Sequence, residues 1–258
     1  MYTNKNGLRS LSLLSVLAVF LLWWIVAANE WVSPLFLPSP KQVWFAFLDI
    51  WSTGYKGSSL ALHISESLFR LGSAFLLALL TAIPLGLISG YIPAVRAIFD
   101  PFIEFYRPLP PLAYYTMLVL WLGIGDSSKI ALLFLASFAP LYLAAVAGVS
   151  RIPKDRILGA RSLGSSRWKL FVYVIFPSSL PELFTGIRTA VGVTYTTLVA
   201  AEMVAAISGI GWMVLDASKF LRSDIIFVGI IIMGLIAICV DFIVRWLERK
   251  LVPWSGKE

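Results

Sequence analysis

The chain has 258 residues, 59% of them from the set Ala, Val, Ile, Leu, Met, Phe, Trp, Tyr and Cys and only 14% charged. Soluble domains carry about 25% charged residues, so the composition excludes a disordered chain and a soluble globular enzyme and describes a membrane protein. One Cys and one His exclude a disulfide scaffold, a thiolate metal cluster and a multi-histidine site, and the formal net charge of +7 needs a separate account.

A spanning helix requires about 20 mostly apolar residues. The first candidate, residues 11–28, follows Lys5 and Arg9 and carries Trp23 and Trp24 at its far end. No small-x-small cleavage site follows it, so it reads as a retained span with an aromatic anchor rather than a cleaved signal. In the external stretch 29–61, Ser39 can cap and Pro40 can open a short helix. That helix places Val43, Trp44, Phe47, Leu48 and Trp51 on one face, for the outer interface or for packing on the bundle. The remaining spans are predicted at about 65–91, 95–122, 128–149, 170–207 and 225–247, within one permease-sized domain of residues 1–258. The third is interrupted by Arg107, Pro108, Leu109, Pro110 and Pro111.

Basic residues orient the bundle. With the N-terminus inside, Lys5, Arg9, Arg96, Arg151, Lys154, Arg156, Arg161, Arg167, Lys169, Arg245, Arg249, Lys250 and Lys257 are cytoplasmic. Only Lys41, Lys56, Lys129, Lys219 and Arg222 fall outside. Thirteen against five predicts cytoplasmic N- and C-termini. The net charge is therefore topological, and no nucleic-acid partner is expected.

The cytoplasmic segment 151–169 is too apolar for an unstructured loop. Ile157, Ala160, Leu163, Trp168 and Phe171 predict two short helices hinged at Gly164. Pro153 suits the first turn of the first helix, and Ser165 or Ser166 the cap of the second. Gly159 and Ala160 would let a partner backbone approach. The resulting surface is basic and partly apolar, as a docking element for a soluble partner needs.

Intramembrane charges are costly and mark functional candidates. They are Glu66, Arg70, Glu104, Arg107, Glu182, Arg188 and Glu202. Glu66 and Arg70, and Glu104 and Arg107, have the i,i+4 and i,i+3 spacings of ion pairs on one helix face. Arg107 beside the proline-broken backbone is the best candidate for substrate contact. Freed backbone at membrane depth survives only against protein or a water-filled cavity, so 107–111 reads as a gate or as a simple kink. Tyr114, Tyr115 and Trp121 follow it. Glu202 either pairs within the subunit or lies near a dimer axis. Gly86 and Gly90 have a Gly-x-x-x-Gly spacing suited to close helix packing, and His63 reads as a satisfied or interfacial histidine rather than a proton relay.

The loop resembles the EAA signature of ABC-importer permeases. Aligned on Gly164, Ala160, Gly164 and Pro177 match, whereas Leu158 stands in place of Glu and Gly159 in place of Ala. Leu35-Phe-Leu-Pro-Ser-Pro-Lys, Tyr106-Arg-Pro-Leu-Pro-Pro-Leu-Ala, Leu120-Trp-Leu-Gly-Ile-Gly-Asp-Ser-Ser-Lys-Ile and Thr197-Leu-Val-Ala-Ala-Glu-Met extend the resemblance over almost the whole chain. They are similar to the branch for taurine, aliphatic sulfonates, nitrate and bicarbonate, and within it Arg107-Pro-Leu-Pro-Pro-Leu-Ala, the Gly-Ile-Gly-Asp-Ser-Ser-Lys run and the ending Leu251-Val-Pro-Trp-Ser-Gly are most similar to the taurine permeases. The resemblance implies an all-α, six-span, type I importer (MetI-like) permease in a bacterial inner membrane. It implies a transport subunit rather than an enzyme, with no catalytic residues and no metal. Its partners would be a second copy, two cytoplasmic ATPase subunits, a periplasmic substrate-binding protein and the lipid bilayer.

The resemblance also implies that ATP and Mg sit on the ATPase, and the lack of a phosphate-loop motif in this sequence agrees. The implied ATPase-coupling loop comprises Leu158, Gly159, Ala160, Arg161, Ser162, Leu163, Gly164, Ser165, Arg167 and Pro177. The candidate translocation path comprises Arg107, Pro108, Pro110, Pro111, Tyr114 and Glu202. The substrate expected is taurine or a similar small sulfonate, and the alternatives are other aliphatic sulfonates, nitrate or bicarbonate. A stand-alone ion-driven transporter would want internal repeats, and an intramembrane enzyme a nucleophile–base set; neither is visible.

Overall fold

The computed structural model describes residues 5–254, with side chains from residue 11 onward. Lys257, the side chains of Lys5 and Arg9, and the last two residues of the 251–256 run lie outside the described residues. The elements are α1 (Lys5–Ala28), α2 (Pro40–Thr53), α3 (Leu60–Tyr91), α4 (Pro93–Tyr106), α5 (Pro111–Leu122), α6 (Asp126–Ser150), α7 (Lys154–Ser162), α8 (Arg167–Leu170), a π-helical turn (Phe171–Ile175), α9 (Phe176–Ala205), α10 (Ile210–Lys219) and α11 (Ser223–Leu251). No β-strand occurs among the described residues. Among the described residues five helices are long and apolar enough to cross a membrane, and α5 is a shorter apolar helix beside them.

The centre of the bundle is α6, packed along α3 on one side and α9 on the other. Close approach is possible because the contacts are small. A Cβ on Gly86 of α3 would lie 2.6 Å from both the Tyr142 carbonyl and the Ala145 Cβ of α6, and one on Gly90 would lie 2.7 Å from Val149 Cβ. The Gly-x-x-x-Gly spacing is therefore the α3–α6 contact itself. Ala78, Ala82, Ala139, Tyr142 and Ala190 continue this seam in a buried cluster. Tyr142 donates to Asp100 of α4 at 2.8 Å, fixing the broken span against α6.

Several expectations change. Span two begins earlier, at Leu60, because Ser59 caps it by accepting from the Leu62 N–H at 3.2 Å. The capping box on α2 forms as its sequence suggests, with Ser39 and Gln42 bonded reciprocally. However, the packed face of α2 is Val43, Ala46 and Ile50, while Trp44 and Trp51 remain exposed beside Phe47 in an aromatic row. Of the two roles open to the aromatic face, packing on the bundle falls to the neighbouring Val43, Ala46 and Ile50 face, because small Ala46 suits close packing, and the tryptophans stay outside the core.

The second loop helix is not separate. From Arg167 it runs through the π-helical turn into α9 as one 39-residue helix. Pro177 has no N–H for an ordinary helical bond and its ring crowds the preceding turn, so the helix widens just before it; the Phe176 N–H bonds to Phe171 O instead. Pro153 is the cap of α7 rather than part of its first turn. Helix α10 was not among the predicted elements: its ten residues are mostly apolar but too few to span a membrane, and it packs into the core between two spans.

Candidate functional site

A cavity of about 430 Å³ opens between the broken span and helices α6 and α9. Its first wall is the α4–α5 break. The helix stops because Pro108, Pro110 and Pro111 together remove three backbone donors within four residues, and Pro111 suits the first position of the next helix; α4 ends at Tyr106 and α5 starts at Pro111. Tyr106, Arg107, Leu109, Pro111 and Tyr114 face the cavity from this wall. The second wall is α6 around its internal Pro140. The third is the Glu182, Thr185, Gly186, Thr189 and Val193 face of α9.

Of the predicted path residues, Arg107, Pro111 and Tyr114 line this cavity, whereas Pro108 and Pro110 shape the break without lining it. Arg107 and Glu104 form no ion pair among the described residues, unlike Glu66 and Arg70, which meet at 3.0 Å. Glu182 is a cavity residue that belongs with Arg107 and was passed over as one more intramembrane charge. Its Oε2 accepts from Arg151, at the end of α6. Thr185 and Thr189 donate to the carbonyls of Pro181 and Thr185, both at 3.1 Å. Their signal in the sequence was a hydroxyl face in step with Glu182.

Glu202 does not line the cavity. It is 1% exposed and belongs to a buried polar knot at the opposite ends of these helices. Arg70 is the hub: its guanidinium donates to Glu202 at 2.8 Å, Asp126 at 2.7 Å, Glu66 at 3.0 Å and the Ser208 carbonyl at 2.9 Å. Glu202 also accepts from Ser67 at 2.7 Å and from the Gly211 N–H at 2.9 Å. A fully engaged arginine and carboxylate are what a buried ion pair requires, so this cluster ties α3, α6, α9 and α10 together. His63 joins it as a satisfied side chain: Nδ1 accepts from the Gly209 N–H at 3.1 Å and the ring stacks on Trp212. Nearby, burial and the bond to Asp216 at 2.8 Å push the Tyr55 phenol well above its usual pKa. Arg188 faces Asp241 and Glu248 of α11 at 3.9 and 3.8 Å.

At the other end lies the 151–169 segment. Helix α7 closes with a Schellman arrangement, Gly164 N–H to Arg161 O at 2.9 Å and Ser165 N–H to Ala160 O at 3.2 Å. Gly164 has φ +77°, which favours glycine. Ser166 caps α8 by accepting from the Lys169 N–H. Ile157 and Ala160 pack on the cluster containing Leu170 and Ile175, while Leu158 and Leu163 are exposed, Leu163 at 89%. Gly159 faces open space. With Arg161 and Arg167 beside them, these residues make the mixed basic and apolar surface that the sequence predicts. Pro177 lies just beyond the π turn and shapes the helix behind it.

A broken membrane span, a cavity beside it and an exposed helix at the end of the core helices define a membrane permease. Residues 82–253 match the family described as binding-protein-dependent transport system inner membrane component, and the chain belongs to that family. It is 46% identical over 246 residues to the taurine transport system permease protein TauC of Escherichia coli (strain K12), covering 95% of this chain and 90% of the relative. It is 34% identical to the putative aliphatic sulfonates transport permease protein SsuC of the same organism, over 90% of this chain and 87% of the relative. It is 28% identical to the nitrate import permease protein NrtB of Synechocystis sp. (strain ATCC 27184 / PCC 6803 / Kazusa), over 94% and 89%. The chain is thus a multi-pass inner-membrane transport subunit of an ABC importer rather than an enzyme, and works with an ATPase and a substrate-binding protein.

Proposed function

We propose that this chain forms the translocation path for taurine or a similar small sulfonate, as a pair of permeases over two ATPase subunits, with both termini cytoplasmic. The observation that carries the substrate reading is the 46% identity, over nearly the full length, to a taurine permease. On this reading ATP and Mg²⁺ are bound by the ATPase alone, and α7 is the coupling helix.

The geometry supports a route for the work of ATP. Helix α7 is held to α6 by the short link 151–153 and to the α8–α9 helix by 163–166. These are two of the three walls of the cavity. Drawing two α7 helices together as the ATPase closes would move those walls and open the cavity outward. Arg107 is a fixed cation facing the path, and a sulfonate is an anion at every physiological pH. Charge-assisted bonding there favours entry, and one exposed guanidinium binds weakly enough to permit release.

The test is taurine uptake into cells lacking their own system, with this chain expressed beside its ATPase and binding protein. Uptake should require all three. Gly164→Asp should abolish uptake while the chain still inserts, because a side chain strains φ +77° and the added charge disturbs the docking face. An assembled complex that imports no taurine would move the substrate to another sulfonate, nitrate or bicarbonate, which the similarities to SsuC and NrtB favour next.

A further inference from the structure

The cavity has two poles. Among the described residues it is lined by one cationic side chain, Arg107, and one anionic side chain, Glu182, set on different walls. We propose that the cavity is built for a zwitterion: Arg107 receives the sulfonate of a short amino sulfonate and Glu182 receives its ammonium. This rests on reading the cavity as the translocation path, and it assigns Arg107 and Glu182 as the residues that select a zwitterion over a plain sulfonate there.

The donors and acceptors are sorted by wall. On the α4–α5 wall, the guanidinium of Arg107 makes no hydrogen bond or ion pair among the described residues, so its donors are free. The Tyr114 hydroxyl stands on the same wall. On the α9 wall, Glu182 uses Oε2 for Arg151 and keeps Oε1 free of protein hydrogen bonds. Thr185 and Thr189 spend their protons on backbone carbonyls one turn back, leaving their oxygens as acceptors beside Glu182. Residues 182, 185 and 189 recur at helical spacing, so the acceptors form one stripe. An ammonium is a donor with no acceptor capacity, and a sulfonate is an acceptor with no donor. The two walls match the two ends.

Charge decides the preference. A simple alkanesulfonate is attracted by Arg107 and repelled by Glu182 at short range, and the two effects oppose. A zwitterion is attracted at both ends. A path for plain anions would gain nothing from a carboxylate on its wall, and Glu182 is only partly neutralised, since its partner Arg151 is 71% exposed and in contact with solvent.

The experiment uses the purified permease–ATPase complex without binding protein, so that only the membrane subunits select. Saturation-transfer NMR compares taurine, ethanesulfonate and ethylamine. Taurine should give the strongest transfer. Glu182→Gln should lower the taurine signal about tenfold, to the ethanesulfonate level, without lowering ethanesulfonate. Glu182→Asp should restore most of the taurine preference, which separates charge from damage to the fold. Arg107→Gln should weaken both sulfonates. Equal transfer to taurine and ethanesulfonate in the unmodified complex would overturn the proposal. So would a Glu182→Gln complex that loses both alike, or no transfer to taurine from a complex that imports it. Failure of the substrate reading would show elsewhere, as absence of taurine uptake in the assay with the binding protein.

Discussion

At the scale of the residue, the most consequential side chain outside the cavity is Arg70. It is 3% exposed and satisfies carboxylates on three different elements. Removing a partner from a buried ion pair costs far more than the pair contributes, because the remaining charge stays buried without compensation. Glu202, 1% exposed, is the group that would be stranded. Arg70→Ala is therefore expected to destabilise the folded chain by about 3 kcal/mol or more, read as a clear fall in the thermal unfolding midpoint in detergent. Arg70→Lys should recover little, since one ammonium cannot span Glu66, Asp126, Glu202 and Ser208 together. An unchanged midpoint in Arg70→Ala would show that the knot is dispensable. The Glu66–Arg70 pair was legible from its i,i+4 spacing. Asp126, Glu202 and Ser208 were not, because they meet Arg70 across 56, 132 and 138 residues.

At the scale of the element, the core is set by how closely helices approach. Gly86 lies where α3 meets the backbone of α6, whereas Gly72 on the same helix has nothing near it. Gly86→Val should force the helices apart, at a cost of about 1–3 kcal/mol from overpacking, and lower both the yield and the thermal midpoint of the purified chain. Gly72→Ala should leave both unchanged or raise them, since alanine favours a helix interior by about 1 kcal/mol. If the two substitutions behaved alike, helix propensity rather than packing would govern the seam. The spacing of Gly86 and Gly90 was visible in the sequence, but its partner was not: glycine is common in spans, and only the packed bundle identifies Tyr142, Ala145 and Val149 as its neighbours. The π turn before Pro177 illustrates the reverse case, a local chemical rule whose consequence for the loop was underread.

For the whole molecule, α1 is the outlier. Its window of residues 11–28 contains no buried residue, and it is anchored by Trp23, which donates to the Pro38 carbonyl at 3.0 Å and stacks on Phe227. The proposed orientation places α7 in the cytoplasm, and that has a direct check. With Cys239 replaced by Ser, Leu163→Cys should react with a membrane-impermeant maleimide in inside-out vesicles and not in intact spheroplasts. Leu163 is 89% exposed, so access to the side chain is not limiting. Binding of the ATPase should slow the reaction. Labelling from the outside would reverse the topology and remove α7 as the coupling helix.

What the sequence determined by itself follows from one-dimensional rules. Apolar runs of spanning length, the prolines at 108–111 and the Gly164 turn are each written in neighbouring residues, and each emerged as an element or a break. The family likeness was legible for the same reason, because its motifs are contiguous. Tertiary structure alone decided which charges meet. It kept Glu202 out of the cavity and gave it to Arg70, placed Glu182 and Arg107 on the lining of one cavity, and turned the Ala46 face of α2 inward rather than its tryptophans. These outcomes depend on where helices far apart in the chain come into contact, and in an apolar bundle many contact registers satisfy the same hydrophobic pattern. The arrangement realised is the one that lets small residues touch and leaves the buried charges of the knot paired.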